Sequence, residues 1–297
     1  MAGDLRPDTV ALGAGVCSFA KAVVGLAQGQ PDSALVLTTT CDQMRRSFDA
    51  FEAAGRERVF LLGVPATWQS ASARLLYASE LRRLGRFLEG LGGVAPSSKA
   101  LLQQIKTHAA ARQQLLAAAP ANSSRQYANA VARFHWDASL APLSKLPLND
   151  DIPLALVGGP MSASQWDLFD LIESSGGRVV LNATEAGERS LWPEFSFADP
   201  EADPFELLVD GYFDHSMDVF QRPNTRLYAW LKKQIKVRGV RGLVLWHHTG
   251  CDLWRAEAST LRETFGLNVL SLEAGDAPGV TPRHAARVQA FLETLND

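Results

Sequence analysis

The reactive chemistry of this 297-residue chain is concentrated in three cysteines, Cys17, Cys41 and Cys251. Two of them sit in an element that occurs twice. Ala34-Leu-Val-Leu-Thr-Thr-Thr-Cys41-Asp-Gln-Met-Arg45 and Gly242-Leu-Val-Leu-Trp-His-His-Thr-Gly-Cys251-Asp-Leu-Trp-Arg255 each run from an apolar stretch through a polar turn into Cys-Asp-x-x-Arg. A short Val/Leu run followed by a helical pattern puts each cysteine past the C-terminal end of a strand, at a helix N-terminus. Open α/β sheets bind ligands there. The helix end favours negative charge and is expected to draw a thiol toward thiolate, the metal-binding form. Three thiolates meeting between two α/β lobes suit one iron–sulfur cluster. Zinc held by three Cys and one His, or three unrelated buried thiols, are the other readings. Spacing alone favours unrelated thiols, since there is no Cys-x-x-Cys pair; the doubled context favours a metal site.

With three thiolates in the whole chain, one iron of a cluster would lack a fourth protein thiolate, and an iron left open is a Lewis acid. Ser18, beside Cys17, and His247 and His248, before Cys251, are the catalytic candidates for hydrogen bonding to an oxygen held there. In a strand-to-turn segment the two histidines point to different sides, so one can face the pocket and exchange a proton near neutral pH. A structurally hydrogen-bonded pair is the equal alternative. Asp42 and Asp252 fit first-turn helix positions. Arg45 and Arg255 can pair with them or with an anionic ligand. Trp68, Trp166 and Trp192 read as core or pocket wall.

The elements that must position these residues alternate between strand and helix, which implies parallel sheets with helix-covered faces. The pattern predicts helices over 17–28, 43–54, 70–90, 97–119 and 122–136, and strands over 34–39 and 59–64. In the 70–90 helix, Leu75, Leu76, Leu81, Leu84 and Leu88 are the expected inner side. Pro142, Pro147 and Asn149-Asp-Asp151 mark a linker, dividing the chain into lobes 1–148, with Cys17 and Cys41, and 149–297, with Cys251. Beyond it come strands at 154–157, 178–181, 243–246 and 267–270, and helices at 166–173, 225–237, 254–265 and 285–295. Gly158-Gly-Pro before Ser162, a helix N-cap candidate, is a tight turn or a weak phosphate cradle. Residues 190–223 read as irregular and aromatic-rich.

Composition sets outer limits. The chain is 46% hydrophobic and 21% charged, ordinary for a globular protein. Its net charge of −3 argues against nucleic acid as a partner. Residues 1–150 hold 16 Lys and Arg against 11 Asp and Glu, and residues 151–297 hold 13 against 21. The basic half suits a polyanion such as coenzyme A, and equally a plain dipolar surface. Three cysteines in a chain of this size point to a reducing compartment and not a disulfide framework. The run Val10–Ala20 is too short to span a bilayer, and the N-terminus lacks a basic leader, so a cytoplasmic protein with no membrane partner is expected. There is no Walker lysine motif, G-x-G-x-x-G or nucleophile elbow, so any ATP used must be bound by another protein.

The sequence resembles the 2-hydroxyacyl-CoA dehydratase and benzoyl-CoA reductase subunits. The resemblance rests on Cys17-Ser-Phe-Ala20, Thr39-Thr-Cys-Asp-Gln-Met-Arg-Arg46, Val64-Pro65, Thr184-Glu-Ala-Gly-Glu-Arg189, Arg222-Pro-Asn-Thr-Arg-Leu-Tyr-Ala-Trp-Leu231 and Gly250-Cys-Asp-Leu-Trp-Arg-Ala-Glu257. These motifs are individually modest; their order and spacing along most of the chain are specific. The resemblance implies two flavodoxin-like (Rossmann-like) parallel-sheet lobes with a 4Fe–4S cluster between them. Cys17, Cys41 and Cys251 match its three ligands, with the fourth iron open. It further implies an acyl-CoA substrate and an ATP-dependent iron–sulfur activator protein that delivers one electron. A thioester ketyl radical would then let an unreactive hydroxyl leave or a ring be reduced. A paralogous subunit or a homodimer completes the expected assembly. The alternative is a non-catalytic partner or electron-relay subunit of a benzoyl-CoA reductase-like complex. The segment before Cys17 is shorter than the family's usual one, a departure that bears on the substrate pocket and partner geometry.

Overall fold

The computed structural model describes residues 15–119, 123–143, 150–199, 201–277 and 279–296. The lobe boundary expected at 148/149 and the first fourteen residues lie outside these. The fold is α/β with two parallel sheets. The first has two strands, β1 (Leu35–Thr38) and β2 (Val59–Leu62), in register Leu35 to Val59 through Thr38 to Leu62. Helix α1 (Ser18–Gln28) precedes β1, and α2 (Asp42–Ala53) links β1 to β2. Val24, Ala27, Leu37 and Phe51 form their shared core. Three helices follow: α3 (Ala71–Gly90), α4 (Ser98–Ala118) and α5 (Ser124–Asp137). Ser70 and Ser97 start the first two by accepting the Ala73 and Ala100 backbone N–H groups.

The second sheet has four strands: β3 (Ile152–Gly158), β4 (Gly177–Ala183), β5 (Gly242–His248) and β6 (Asn268–Ala274), ordered β4-β3-β5-β6 and all parallel. That is the order of the first four strands of a flavodoxin-like sheet. Leu154, Ala155, Leu156 and Val157 of β3 and Leu243, Val244, Leu245 and Trp246 of β5 are fully buried, because helices cover both faces. α6 (Asp167–Ser174) and α10 (Pro282–Asn296) lie on one face, and α8 (Thr225–Val237) and α9 (Asp252–Phe265) on the other. Gly158, which ends β3, has φ +151°, and a Cβ there would meet the Trp246 carbonyl oxygen at 1.9 Å. Only glycine allows β3 to lie this close to β5 at that point.

Two expectations need correction. The α3 leucines are not one inner face: Leu75 is 66% exposed, Leu76 54% and Leu88 49%, while Leu81 packs with the buried Tyr77 and Ala78. Periodicity locates an apolar stripe but not what covers it, and on this helix the covered side is the one facing α7 (Pro204–Phe213). That helix lies within the stretch expected to be irregular. Its signals are local: Asp203 caps it by accepting the Phe205 N–H, Pro204 occupies the first turn and Glu206 follows. No helix among the described residues is long and apolar enough to cross a membrane.

Candidate functional site

Each cysteine is the N-cap residue of a helix: Cys17 of α1, Cys41 of α2 and Cys251 of α9. Strand–turn–helix geometry places two of them, and contacts between the sheets place the third. The Cys17 backbone N–H donates to the Gln43 side-chain oxygen on α2 at 3.2 Å, and the Ser18 N–H to the Thr249 carbonyl at 3.4 Å. Gly250, at φ +81°, brings the turn before α9 against Cys17: a Cβ on Gly250 would stand 3.2 Å from the Cys17 Cα. Cys17 is buried, and Cys41 and Cys251 are half-buried.

The three thiols feel one another. Burial pushes all three above the ordinary thiol range, Cys251 to about 11. Backbone N–H groups oppose this: Ala20 donates to Cys17 Sγ at 3.4 Å, and the N–H groups of Met44 and Gln43 near Cys41 and of Trp254 near Cys251 favour the thiolates without closing a cap hydrogen bond. Cys41 raises Cys17, and Cys17 and Cys41 together raise Cys251. The expected lowering by the helix ends is therefore overturned. Desolvation outweighs the N–H donors, because the three helices start inside the protein. Thiols that oppose one another's ionisation, each at a helix start, fit a partner that brings positive charge. Among the described residues no three His, Cys, Asp or Glu side chains stand close enough to hold one metal ion. A lone zinc ion needs its ligands drawn tightly around one centre, whereas a cluster spreads them over several irons.

Ser18 and His248 form a pair. Ser18 Oγ lies 2.9 Å from His248 Nδ1 and 3.2 Å from the Ala274 carbonyl, two acceptors that compete for its one proton. His248 Nε2 is 2.9 Å from the Pro160 carbonyl, which can only accept, so this nitrogen carries a proton. In the neutral ring Nδ1 then accepts from Ser18. Phe19 stacks obliquely on the ring with centroids 5.4 Å apart. Burial lowers the pKa of His248 and of His247, favouring neutral imidazoles. The His248 side chain closes the crevice beyond β3 and β5, where the strand order reverses. His247 faces the other way: its Nε2 is 3.0 Å from Ser271 Oγ, and its buried Nδ1 has no hydrogen-bond partner among the described residues.

Sequence reading missed a charged cluster beside the thiols. Arg189 is almost fully buried and donates to Glu185 at 2.9 Å, to Asp218, and to the Gly158 and Ala183 carbonyls, each at 2.9 Å. Burial works against its charge, but Asp218 and Glu185 outweigh this and raise its pKa. Its guanidinium lies 4.9 Å from the centre of the Trp254 ring, on the residue whose N–H favours the Cys251 thiolate. Burial raises the Glu185 carboxyl, Arg189 pulls it down and Asp218 pushes it up. The Glu185 side chain still keeps 41% of its surface open, so enclosure by neighbouring walls and not full coverage produces the shift. Glu185 in turn raises Cys251, and Asp218 raises Cys41. The i,i+4 spacing of Glu185 and Arg189 was the available signal; Asp218 offered none. Of the remaining candidates, Asp252 pairs with Arg255 at 2.7 Å in the first turn of α9, and Arg45 is exposed.

The family model for 2-hydroxyglutaryl-CoA dehydratase, D-component, matches residues 8–295. The chain belongs to this family. The match spans both sheets and takes in all three cysteines. Comparison with curated proteins finds no match.

Proposed function

We propose that this chain is the iron–sulfur subunit of a 2-hydroxyacyl-CoA dehydratase-like enzyme, with Cys17, Cys41 and Cys251 as ligands of a 4Fe–4S cluster. One observation carries the reading: the three cysteines stand at the N-termini of three helices from both halves, with Cys17 joined to the Cys41 helix through Gln43 and pressed by Gly250 of the turn before Cys251. When bound, such a cluster supplies one-electron reduction and, at an iron without a protein ligand, Lewis acidity.

The chain's own residues do the rest. The Ala20 N–H donates to the Cys17 sulfur, and the helix-start N–H groups of Met44 and Trp254 lie where they favour the thiolates of Cys41 and Cys251. Burial of Cys17 among Val16, Ala20, Phe19 and Met44 limits water at the site. Ser18 presents a hydroxyl held by His248, and His248 fixes its tautomer on Pro160. By turning from Nδ1, that hydroxyl can donate to a substrate oxygen, so Ser18 and His248 are the proposed catalytic pair. His247 braces β5 against β6 through Ser271. Arg189 offsets part of the negative charge that Glu185 and Asp218 place beside the thiols.

The substrate is an acyl-CoA. A separate ATP-dependent iron–sulfur activator protein supplies the electron, and a paralogous subunit or second copy completes the enzyme. Exposed Leu75, Leu76, Leu88, Leu91 and Val94, on α3 and just after it, support a protein partner. The test is to add 2-hydroxyacyl-CoA thioesters to anaerobic, cluster-loaded protein and record Mössbauer spectra. A change confined to one iron site is expected. A cluster indifferent to every thioester would move the function to the electron-relay role.

A further inference from the structure

A cavity of about 480 Å³ opens beside the cysteine site, within the size range of small-ligand pockets. It lies beyond the C-terminal ends of β1 and β2, under α3 and α7. Leu62, Val64, Tyr77, Tyr212, Phe213 and Phe220 give it an aromatic and aliphatic wall. Two features join it to the thiols. Thr40, on its wall, directly precedes Cys41 and is held by Thr38 at 2.8 Å between hydroxyls. The loop carrying Ser216 and Phe220, also on the wall, carries Asp218, whose charge reaches Cys41. Among the described lining residues none is Lys, Arg, His, Asp or Glu. Its polar groups are hydroxyls, an indole and the amide of Gln221.

We infer that this cavity receives the side chain of the acyl group and that the side chain is apolar, aliphatic or aromatic, without a second carboxylate. The inference rests on the function proposed above and narrows its substrate class. The family takes its name from a 2-hydroxyglutaryl thioester, whose side chain ends in a carboxylate. In this cavity that carboxylate would lose water and meet no cation on the wall; Arg112 stands behind Tyr212 and spends a guanidinium N–H on its hydroxyl at 2.7 Å. An apolar side chain of similar length loses only water-exposed surface there, which favours binding.

The test is binding to cluster-loaded protein, measured by calorimetry with three probes: 2-hydroxyisocaproyl-CoA, phenyllactyl-CoA and 2-hydroxyglutaryl-CoA. The first two are expected to bind at least about tenfold more tightly than the third. Leu208 also lines the cavity, and Leu208→Trp should weaken the two apolar thioesters by about tenfold or more, with acetyl-CoA binding unchanged. Gln221→Lys places a cation in the wall and should shift preference toward 2-hydroxyglutaryl-CoA, which keeps the test informative if Leu208→Trp does not fold. Binding of 2-hydroxyglutaryl-CoA equal to or tighter than the apolar thioesters in the unaltered protein would overturn the inference and leave the proposed function standing. Failure of every acyl-CoA to bind would overturn the proposed function and this inference with it.

Discussion

The two sheets do different jobs with different amounts of structure. The four-stranded sheet buries β3 and β5 on both faces, and its strand ends carry His248, Glu185 and the turn to Cys251. The two-stranded sheet is thin: its strands are four residues long, and Val36 is 43% exposed. Yet two of the three cysteines belong to its half. Cys41 is placed by its own strand and helix, whereas Cys17 is held by contacts to the other half: Gly250 against Cys17, the Ser18 N–H on Thr249, and Ser18 with His248. A thin element docked on a rigid one is a way to build a site that one ligand can hold closed. Loss of that ligand should cost the thin half more than the thick one.

Substitutions can break that comparison. The largest effect is expected from Trp246→Ala, which empties a fully buried indole from β5 and should cost about 3–5 kcal/mol in denaturant unfolding. Val36→Ala on the thin sheet should stay within about 0.5 kcal/mol. Comparable losses at both positions would mean that the sheets are equally structural.

Next comes the ionisation of Cys251 in cluster-free protein. A thiol moved from the ordinary 9.0 to about 11 has about a hundredfold less thiolate at pH 8. Iodoacetamide labelling of Cys251, followed by mass spectrometry, should climb with a midpoint well above pH 9. The same shift gives the stability a sign. Between about pH 9 and 11 the unfolded chain loses this proton first, so cluster-free protein should lose stability as pH rises through that window. A midpoint at or below 9 would restore the helix-end lowering that the sequence suggested.

Gly250→Ala should cost about 1–2 kcal/mol, because φ +81° is unfavourable for alanine and Cys17 must give way. The informative readout is iron content, which should fall while the four-stranded sheet stays folded by circular dichroism. The smallest effect is expected from Ser18→Ala, about 0.5–1.5 kcal/mol for a hydrogen bond joining the halves. Faster hydrogen exchange confined to α1 and β1 would show where that bond acts.

The sequence made the cysteines' placement legible because a Val/Leu run, a polar turn and an amphipathic helix are local signals, and all three cysteines do cap helices. It also carried the parallel strands of the second sheet and the opposite facing of His247 and His248. Quantities set by packing were not legible. Cys251 is raised and not lowered because its helix starts in a desolvated place, and burial is a tertiary property. Leu75, Leu76 and Leu88 of α3 lie on a side that the described residues leave exposed, while Leu81 packs inward. Arg189 was visible as a motif residue, but its junction with Asp218, twenty-nine positions away, exists only in the fold.

The central claim is that Cys17, Cys41 and Cys251 hold one cluster together. The most direct measurement is iron and acid-labile sulfide per chain after anaerobic reconstitution, in the unaltered protein and in Cys17→Ala, Cys41→Ala and Cys251→Ala. The account predicts about four iron and four sulfide per chain, with a large loss in each variant. Zinc without sulfide, or full iron and sulfide retained when any one of these cysteines is replaced, would contradict it.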